Sequence, residues 1–397
     1  MSELNFYEKL VNLPDLEITA VAESATKIIL HGRFKKTTAR CPVCLQSSGK
    51  INQRTEVKYR DLKVFNREVW IQLTIPPFTC VTCQRYFLAH PDWVMPGKSY
   101  TRRQAKWVFE MCEKQAFTQV GALENMGAKT VENLFYAVAE KVVNLPQRYA
   151  QVQQLGIDEV AHRKGKGGSV CVLTDLERGI QLDVLPDRRK ETIIAHFQSM
   201  GAKFCQQIQV VACDMWGPYQ QVIATCFPQA QPVIDRFHVV KLLNQVLDTE
   251  RKKLRKAEPT ETSFKHLKWL LFKQTNHCRT DEKTQIAQAL SKAPFLGTLH
   301  QLREEFHQLF EVSTTKSALH AGLSEWLTKA RLLACDSLHQ FTKTLANWQD
   351  AIAAFADGRV TNAVTEGLNN YLRYMQRISF GLTNFNNMRM RILVASA

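Results

Sequence analysis

Apolar and polar residues alternate through residues 14–37 and 55–75, in segments such as Thr26–Arg33 and Arg67–Ile75, and a period of two predicts strands. From Thr101 to Val143 the period lengthens to that of helices. Trp107, Val108 and Met111 form one apolar stripe, and Val131, Leu134, Phe135 and Val138 form another, with a tight turn at Asn125-Met126-Gly127 between them. Between Leu155 and His238 short β runs alternate with amphipathic stretches. Leu155–Val160, Ser169–Thr174, Ile180–Leu185, Gln209–Cys213 and Pro232–Ile234 are predicted strands, and Lys190–Met200 and Tyr219–Phe227 predicted helices. Helical periodicity then dominates from Val239 to about Ala356, notably in Phe264–Leu271, Leu299–Leu309, Leu319–Leu333 and Leu338–Phe355. A last helix begins near Thr361 or Asn362.

Composition narrows the partner. The 397 residues are 45% apolar, ample for a substantial core, and 52 Lys and Arg against 37 Asp and Glu give +15 with a pI near 9.3. That balance suits a polyanion such as nucleic acid, with a merely basic soluble protein as the alternative. The densest run, Arg251-Lys252-Lys253-Leu254-Arg255-Lys256, reads equally as a solvated helical face or a phosphate-contacting one. No apolar run approaches a membrane span and the first residues lack the pattern of a secretory signal, so a cytoplasmic, reducing location is expected. Eleven cysteines there point to metal ligation and core thiols instead of disulfides.

Four of those cysteines have a spacing that carries chemistry. Cys41-Pro42-Val43-Cys44 and Cys80-Val81-Thr82-Cys83 are two CxxC pairs separated by 35 residues, and two such knuckles complete a closed tetrahedral zinc site. The 55–75 segment then reads as a hairpin within a zinc ribbon. A redox pair or unligated thiols is the competing reading. His90 is a possible substitute ligand, though more simply a surface or core histidine. Cys112, Cys171, Cys205, Cys213, Cys226, Cys278 and Cys335 read as small buried hydrophobes. Further on, Ala116–Phe135 has the short helix, glycine-containing turn and second helix of a helix-turn-helix unit. Lys129, Thr130 and Asn133 would occupy the exposed start of the second helix, where such units approach the DNA major groove, and a plain helical spacer is the alternative.

Three carboxylates stand in telling settings. Asp158 lies in a strand predicted to be central, bounded by polar Gln151–Gln154 and the glycine-rich turn Lys164–Gly168; neighbouring Glu159 points to the opposite face of a regular strand and is the weaker candidate. Asp214 ends the doubly buried run Ile208–Cys213, where an N-cap role for the next helix is the alternative. Glu366 shares a helical face with Asn370, Arg373 and Arg377, opposite Val364, Leu368, Leu372 and Met375; a surface glutamate among arginines is its bland reading. Strand Asp, strand Asp, helix Glu is the order of a ribonuclease-H-like site that gathers two Mg²⁺ or Mn²⁺ ions around one phosphate. Three strands, then helix, strand, helix, strand is also that fold's element order. The helical stretch before Glu366 must be an insertion, because structureless connections of such length are rare inside compact domains.

Taken together these residues resemble the ISL3 family of bacterial insertion-sequence transposases, within the wider DDE group. The resemblance spans nearly the whole chain: both CxxC pairs, the helix-turn-helix stretch, Gly156-Ile157-Asp158-Glu159, Asp214 to Tyr219, Phe227-Pro228, Asp235-Arg236-Phe237-His238, Glu366 to Asn370, Arg377 to Gly381, and Asn384-Phe385. It implies cleavage at terminal inverted repeats, joining of the freed 3′-hydroxyl to target DNA, and a dimer or larger synaptic assembly. The acid triad becomes Asp158, Asp214 and Glu366, with Asp235 and His238 in supporting roles and an ordinary helix-start residue as the alternative for His238; independently of the resemblance, the helical face of Glu366 would turn Arg373 and Arg377 toward DNA phosphates. Thr361–Thr365 departs from the family's usual Ser-Asn pattern, a change that bears on the capping of this helix. The expected architecture is a multidomain α/β chain. It comprises a zinc-ribbon domain (1–99), a helix-turn-helix domain (100–148), a ribonuclease-H-like domain in two parts (149–239 and 358–397) and an all-α insertion (240–357). A non-catalytic DNA-binding regulator and a structure-selective nuclease are the rival functions.

Overall fold

The computed structural model describes residues 3–50, 55–161, 168–258, 262–379 and 384–395. Two compact units divide the chain, one of Met1–Val143 with Arg377–Leu382, the other of Asn144–Gln376 with Thr383–Ala397. In the first, the alternating segments form a four-stranded sheet in the order Leu16–Glu23, Lys27–Phe34, Arg67–Ile75, Thr55–Val64. Lys27–Phe34 runs parallel to Arg67–Ile75 and the other neighbours are antiparallel. Period two puts Ile18, Ile28, Leu30, Tyr59, Val69, Ile71 and Leu73 into one apolar core with Trp93 and Val94.

The 55–75 hairpin, expected inside the ribbon, belongs to this sheet instead. Its turn residues Phe65 and Asn66 both have positive φ, 47° and 66°, the conformation that matches strand twist in a two-residue hairpin. The cysteine knuckles are carried by two shorter hairpins, Ala39–Arg40 with Ser47–Ser48 and Pro77–Thr79 with Tyr86–Leu88. The knuckles have the same local geometry. Leu45 N donates to Cys41 O and Gln84 N to Cys80 O, both at 3.0 Å, and Leu45 and Gln84 are both left-handed (φ 61° and 56°).

Three helices follow, Arg102–Cys112, Phe117–Glu124 and Ala128–Val142. Thr101 caps the first, accepting from Gln104 N and donating to buried Asp61 at 2.7 Å. The buried face of that helix is Ala105, Val108, Phe109 and Cys112, so the stripe expected through Trp107 is rotated by about one residue; Trp107 is exposed and donates to Glu124. Phe109 stacks on Phe135 at 5.2 Å, and Val131, Leu134 and Phe135 are buried as expected. Left-handed Asn125 makes the predicted turn, whose carbonyls accept from Arg60 and Lys63 of the sheet.

The second unit is built on a five-stranded sheet in the order Ile180–Leu185, Ser169–Asp175, Gln154–Ala161, Val210–Cys213, Gln231–Ile234. The first three strands are antiparallel, and Val210–Cys213 runs parallel to both of its neighbours. All five predicted strands form. Helices Lys190–Met200 and Gly217–Cys226 form close to their expected spans, and Ala202–Gln207 is a short helix the periodicity did not signal. Phe197 and Phe227 meet at 4.8 Å between ring centres in the core beside the sheet.

Helix Arg236–Ala257 leaves the last strand and runs straight into the helical region, packing on Pro294–Val312 and Asp336–Asn347. Phe306, Phe310, Trp326 and Phe341 interlock there, and this apolar cluster is continuous with that of the sheet. The helix expected over Leu338–Phe355 breaks at Trp348 into Asp336–Asn347, Gln349–Ala353 and Phe355–Gly358. Part of the basic run is engaged internally: Arg251 is buried against Asp248 and Phe264 O, Lys252 pairs with Asp248, and Lys253 with Glu250. Among the described residues no helix is long and apolar enough to cross a membrane.

Candidate active site

Strand register brings the acids together. In the parallel ladders Ile157 lies opposite Cys213 and Cys213 opposite Ile234, and the next residue of each strand is an aspartate. Asp158, within the central strand, therefore forms a row with Asp214 and Asp235, which directly follow the last residues of the next two strands. Helix Ala363–Ile378 adds Glu366, in its first turn, to the same cavity of about 310 Å³. Glu159, Phe237, His238, Lys241, Asn369 and Arg373 complete most of the wall.

Each acid has a distinct environment. Asp158 accepts from Glu159 N at 2.7 Å through Oδ1 and from Asn369 Nδ2 at 2.6 Å through Oδ2. Burial, then the facing charge of Asp214, pushes its carboxyl up to about 6. Asp214 Oδ1 is buried, accepts no aligned hydrogen bond, and lies 2.8 Å from His238 Nε2. Burial draws the His238 imidazole down, but the adjacent Asp214 carboxylate outweighs it and the net shift is upward. Trp216 caps the next helix without a side-chain bond, so the N-cap reading of Asp214 fails. Glu366 is exposed at the cavity, near the positive end of its helix.

Asp235 differs from its neighbours in the row because its carboxylate holds the starts of two helices. Oδ1 caps helix Arg236–Ala257 by accepting from Phe237 N at 2.8 Å. Oδ2 accepts from Thr361 Oγ1 at 2.5 Å and Asn362 N at 2.7 Å, which ties the start of the Glu366 helix to the sheet. Thr361 in turn accepts from Ala363 N, so the departure from the Ser-Asn pattern leaves this helix start capped. Asp235→Ala is expected to cost roughly 2–4 kcal/mol, from the lost cap and a stranded buried donor, in urea unfolding of the full chain.

Gly156 supplies the close approach. A Cβ there would lie 2.9 Å from Thr365 Oγ1, 3.0 Å from Asn362 Oδ1 and 2.8 Å from Leu176 Cδ2. Gly156→Ala must push the Glu366 helix outward, with an expected cost of about 1–3 kcal/mol read as a lowered melting temperature.

The helix faces differ from the expected assignment. Thr365, Asn369, Leu372 and Met375 are the buried residues, Leu368 is half-buried and Val364 exposed, so a partly polar face docks on the sheet. Arg373 does reach the cavity, bonded to Asn370 at 2.8 Å, whereas Arg377 lies outside the cavity lining, in the last turn. Glu159 reaches the rim despite its expected opposite orientation and pairs with Arg188, whose guanidinium lies 4.9 Å from the Trp216 ring. Sequence reasoning singled out neither Asn369 nor Lys241; the only available signal for Asn369 was its place one turn beyond Glu366. Lys164–Gly167 and Phe380-Gly381 lie outside the described residues.

The donor set suits hard divalent cations, since two anionic oxygens side by side, one without an aligned donor, are costly without a neutralising charge. Among the described residues no carboxylate and histidine ligand atoms close in threes to within 4.8 Å, so the acids stand wider than the ligands of a single ion.

The four cysteines do close to that distance. Cys41 Sγ lies 3.5 Å from Cys83 Sγ, and Cys44 Sγ 3.4 Å from Cys80 Sγ, the donor set of a structural zinc site. His90 is bonded to Tyr59 and is not a member. In the helical pair, Lys129 and Asn133 are exposed, Thr130 is half-buried, and Lys129 pairs with Glu132 at 2.8 Å.

Residues 155–392 match the ISL3 family model described as transposase, and residues 37–83 match the zinc finger of the transposases of IS204, IS1001, IS1096 and IS1165. The transposase for insertion sequence element IS1001 of Bordetella parapertussis is 26% identical over 356 residues, covering 88% of this chain and 87% of its own. The transposase for IS1557 of Mycobacterium tuberculosis, in strains CDC 1551 and H37Rv, is 21% identical over 352 residues, covering 82% of this chain and 78% of its own.

Proposed function

Because the chain belongs to the ISL3 family of transposases, with its N-terminal zinc ribbon, we propose that it is the DDE transposase of an insertion sequence. It binds the element's terminal inverted repeats, cleaves at the element ends and joins the freed 3′-hydroxyls to target DNA. The observation that carries this reading is the row of aspartates across three adjacent strands, with Glu366 lining the same cavity. The sheet order, three antiparallel strands and then two parallel ones separated by helices, supports a ribonuclease-H-like catalytic domain formed by 149–239 and 358–397 and interrupted by 240–357.

In this reading Asp158, Asp214 and Glu366 hold two Mg²⁺ or Mn²⁺ ions, which when bound activate water or a 3′-hydroxyl and stabilise the departing oxygen. The chain's own residues prepare that chemistry. Asp158 lies on the central strand beside both other acids. His238 orients Asp214 through their 2.8 Å contact, and Asp235 acts one step back by holding two helix starts. Lys241 and Arg373 at the cavity wall neutralise the phosphates flanking the scissile bond, and Arg377 extends this contact along the strand. The 1–99 module with structural Zn²⁺ and the helix-turn-helix at 100–148 read the repeat. Lys129, Thr130 and Asn133 approach the groove from the start of helix Ala128–Val142. Two DNA ends must be held together, so the working form is a dimer or larger synaptic assembly on DNA in the cytoplasm.

The test is incubation of the purified protein with Mg²⁺, a labelled duplex carrying its element's terminal repeat, and a target plasmid. Cleavage at the repeat boundary followed by joining supports the transposase. Binding without cleavage makes the chain a DNA-binding regulator, and cleavage without joining makes it a nuclease.

A further inference from the structure

Asn369 is 2% exposed, and its Nδ2 donates to Asp158 Oδ2 at 2.6 Å while its Oδ1 has no protein partner. Burying an amide in this way is costly unless its one strong bond has a use. That bond joins the central strand to the helix that carries Glu366, one turn away. Asp158 Oδ1 is meanwhile held by Glu159 N at 2.7 Å. Two donors, one on each oxygen, fix the rotation of the Asp158 carboxylate where it lines the cavity. The surroundings support the same contact: Asp235 anchors the helix start, and bare Gly156 lets Thr365 and Asn362 lie against the strand.

We propose that Asn369 is a positioning residue that sets the orientation of Asp158 and its separation from Glu366, and thereby the affinity of the acid site for its divalent cations. This inference rests on the two-metal reading of the site. Groups that hold metal ligands by hydrogen bonds typically change metal affinity by about 10- to 100-fold when removed. A shift of that size, with the fold and DNA binding intact, is expected of Asn369.

The experiment is titration of Mn²⁺ into the full-length protein, with free Mn²⁺ followed by electron paramagnetic resonance. Wild type is compared with Asn369→Ala, with Asn369→Leu, which keeps the volume and removes the donor, and with Leu372→Ala, a packing control on the same buried face. The two Asn369 variants are expected to bind Mn²⁺ about 10- to 100-fold more weakly while binding repeat DNA as wild type does. Leu372→Ala is expected to lower the melting temperature without that loss. Mn²⁺ affinity within twofold of wild type in Asn369→Leu would overturn the proposal alone, as would an equal loss in Leu372→Ala. No Mn²⁺ binding by wild type at the acid site would overturn the two-metal reading and this inference together.

Discussion

Glu366→Gln is expected to reduce cleavage at the element end by roughly 10²- to 10³-fold or more, while repeat binding stays within a factor of about two. The substitution replaces one oxygen by an amide of the same shape, so helix packing survives. Glu366 is exposed on the cavity side, and its side chain supports none of the contacts that dock its helix; those belong to Thr361, Asn362, Thr365 and Asn369. In the two-metal reading, what disappears is a full negative charge where two cations would be held near one phosphate. The same outcome is expected for Asp158→Asn and Asp214→Asn. In those variants stability falls less than a buried-charge deletion would suggest, because two carboxylates facing one another repel in the absence of a cation. The measurement is a strand-cleavage assay on labelled ends beside a gel-shift assay on the same duplex. Full cleavage by any one variant removes that residue from the catalytic set.

Cys41→Ser, or exhaustive chelation, is expected to unfold the knuckle region and abolish repeat recognition. Structural zinc contributes on the order of 10–16 kcal/mol to the folding of small metal-dependent modules, far more than their apolar contacts supply. The hairpins that carry the thiols are only two or three residues long per strand, and no hairpin of that length is stable by itself. The four-stranded sheet has its own apolar core and should persist. Circular dichroism should therefore show a partial loss, with zinc content falling to zero and the catalytic unit intact. Unchanged zinc content together with normal repeat binding in Cys41→Ser would contradict the assignment of these thiols.

Much of this was legible in the one-dimensional pattern. The strand periods, the CxxC spacing and the order of Asp158, Asp214 and Glu366 are local properties, and local properties survive in sequence because they follow from backbone period and from donor chemistry. Even the breaks were readable where turn chemistry was strong, as at Asn125. The stripe through Trp107 and the faces of the Glu366 helix were misjudged for a common reason. Periodicity identifies an amphipathic surface but not which neighbour it meets, and a sheet lined by Gly156 accepts Thr365 and Asn369 where an apolar partner would have chosen Val364.

By itself, then, the sequence determined most element types and their order, the closed set of four thiols and the choice of the three candidate acids. Tertiary structure alone decided the rest. The parallel register that sets Asp158, Asp214 and Asp235 in one row depends on pairing between strands separated along the chain, Ile157 with Cys213 and Cys213 with Ile234. The tie of Asp235 to Thr361 and Asn362, and the grip of Asn369 on Asp158 across 211 residues, likewise arise only when distant segments meet. Hydrogen bonds of this kind have no period and no spacing along the chain, because their geometry is set by the packed core that brings the partners to within 3 Å of each other.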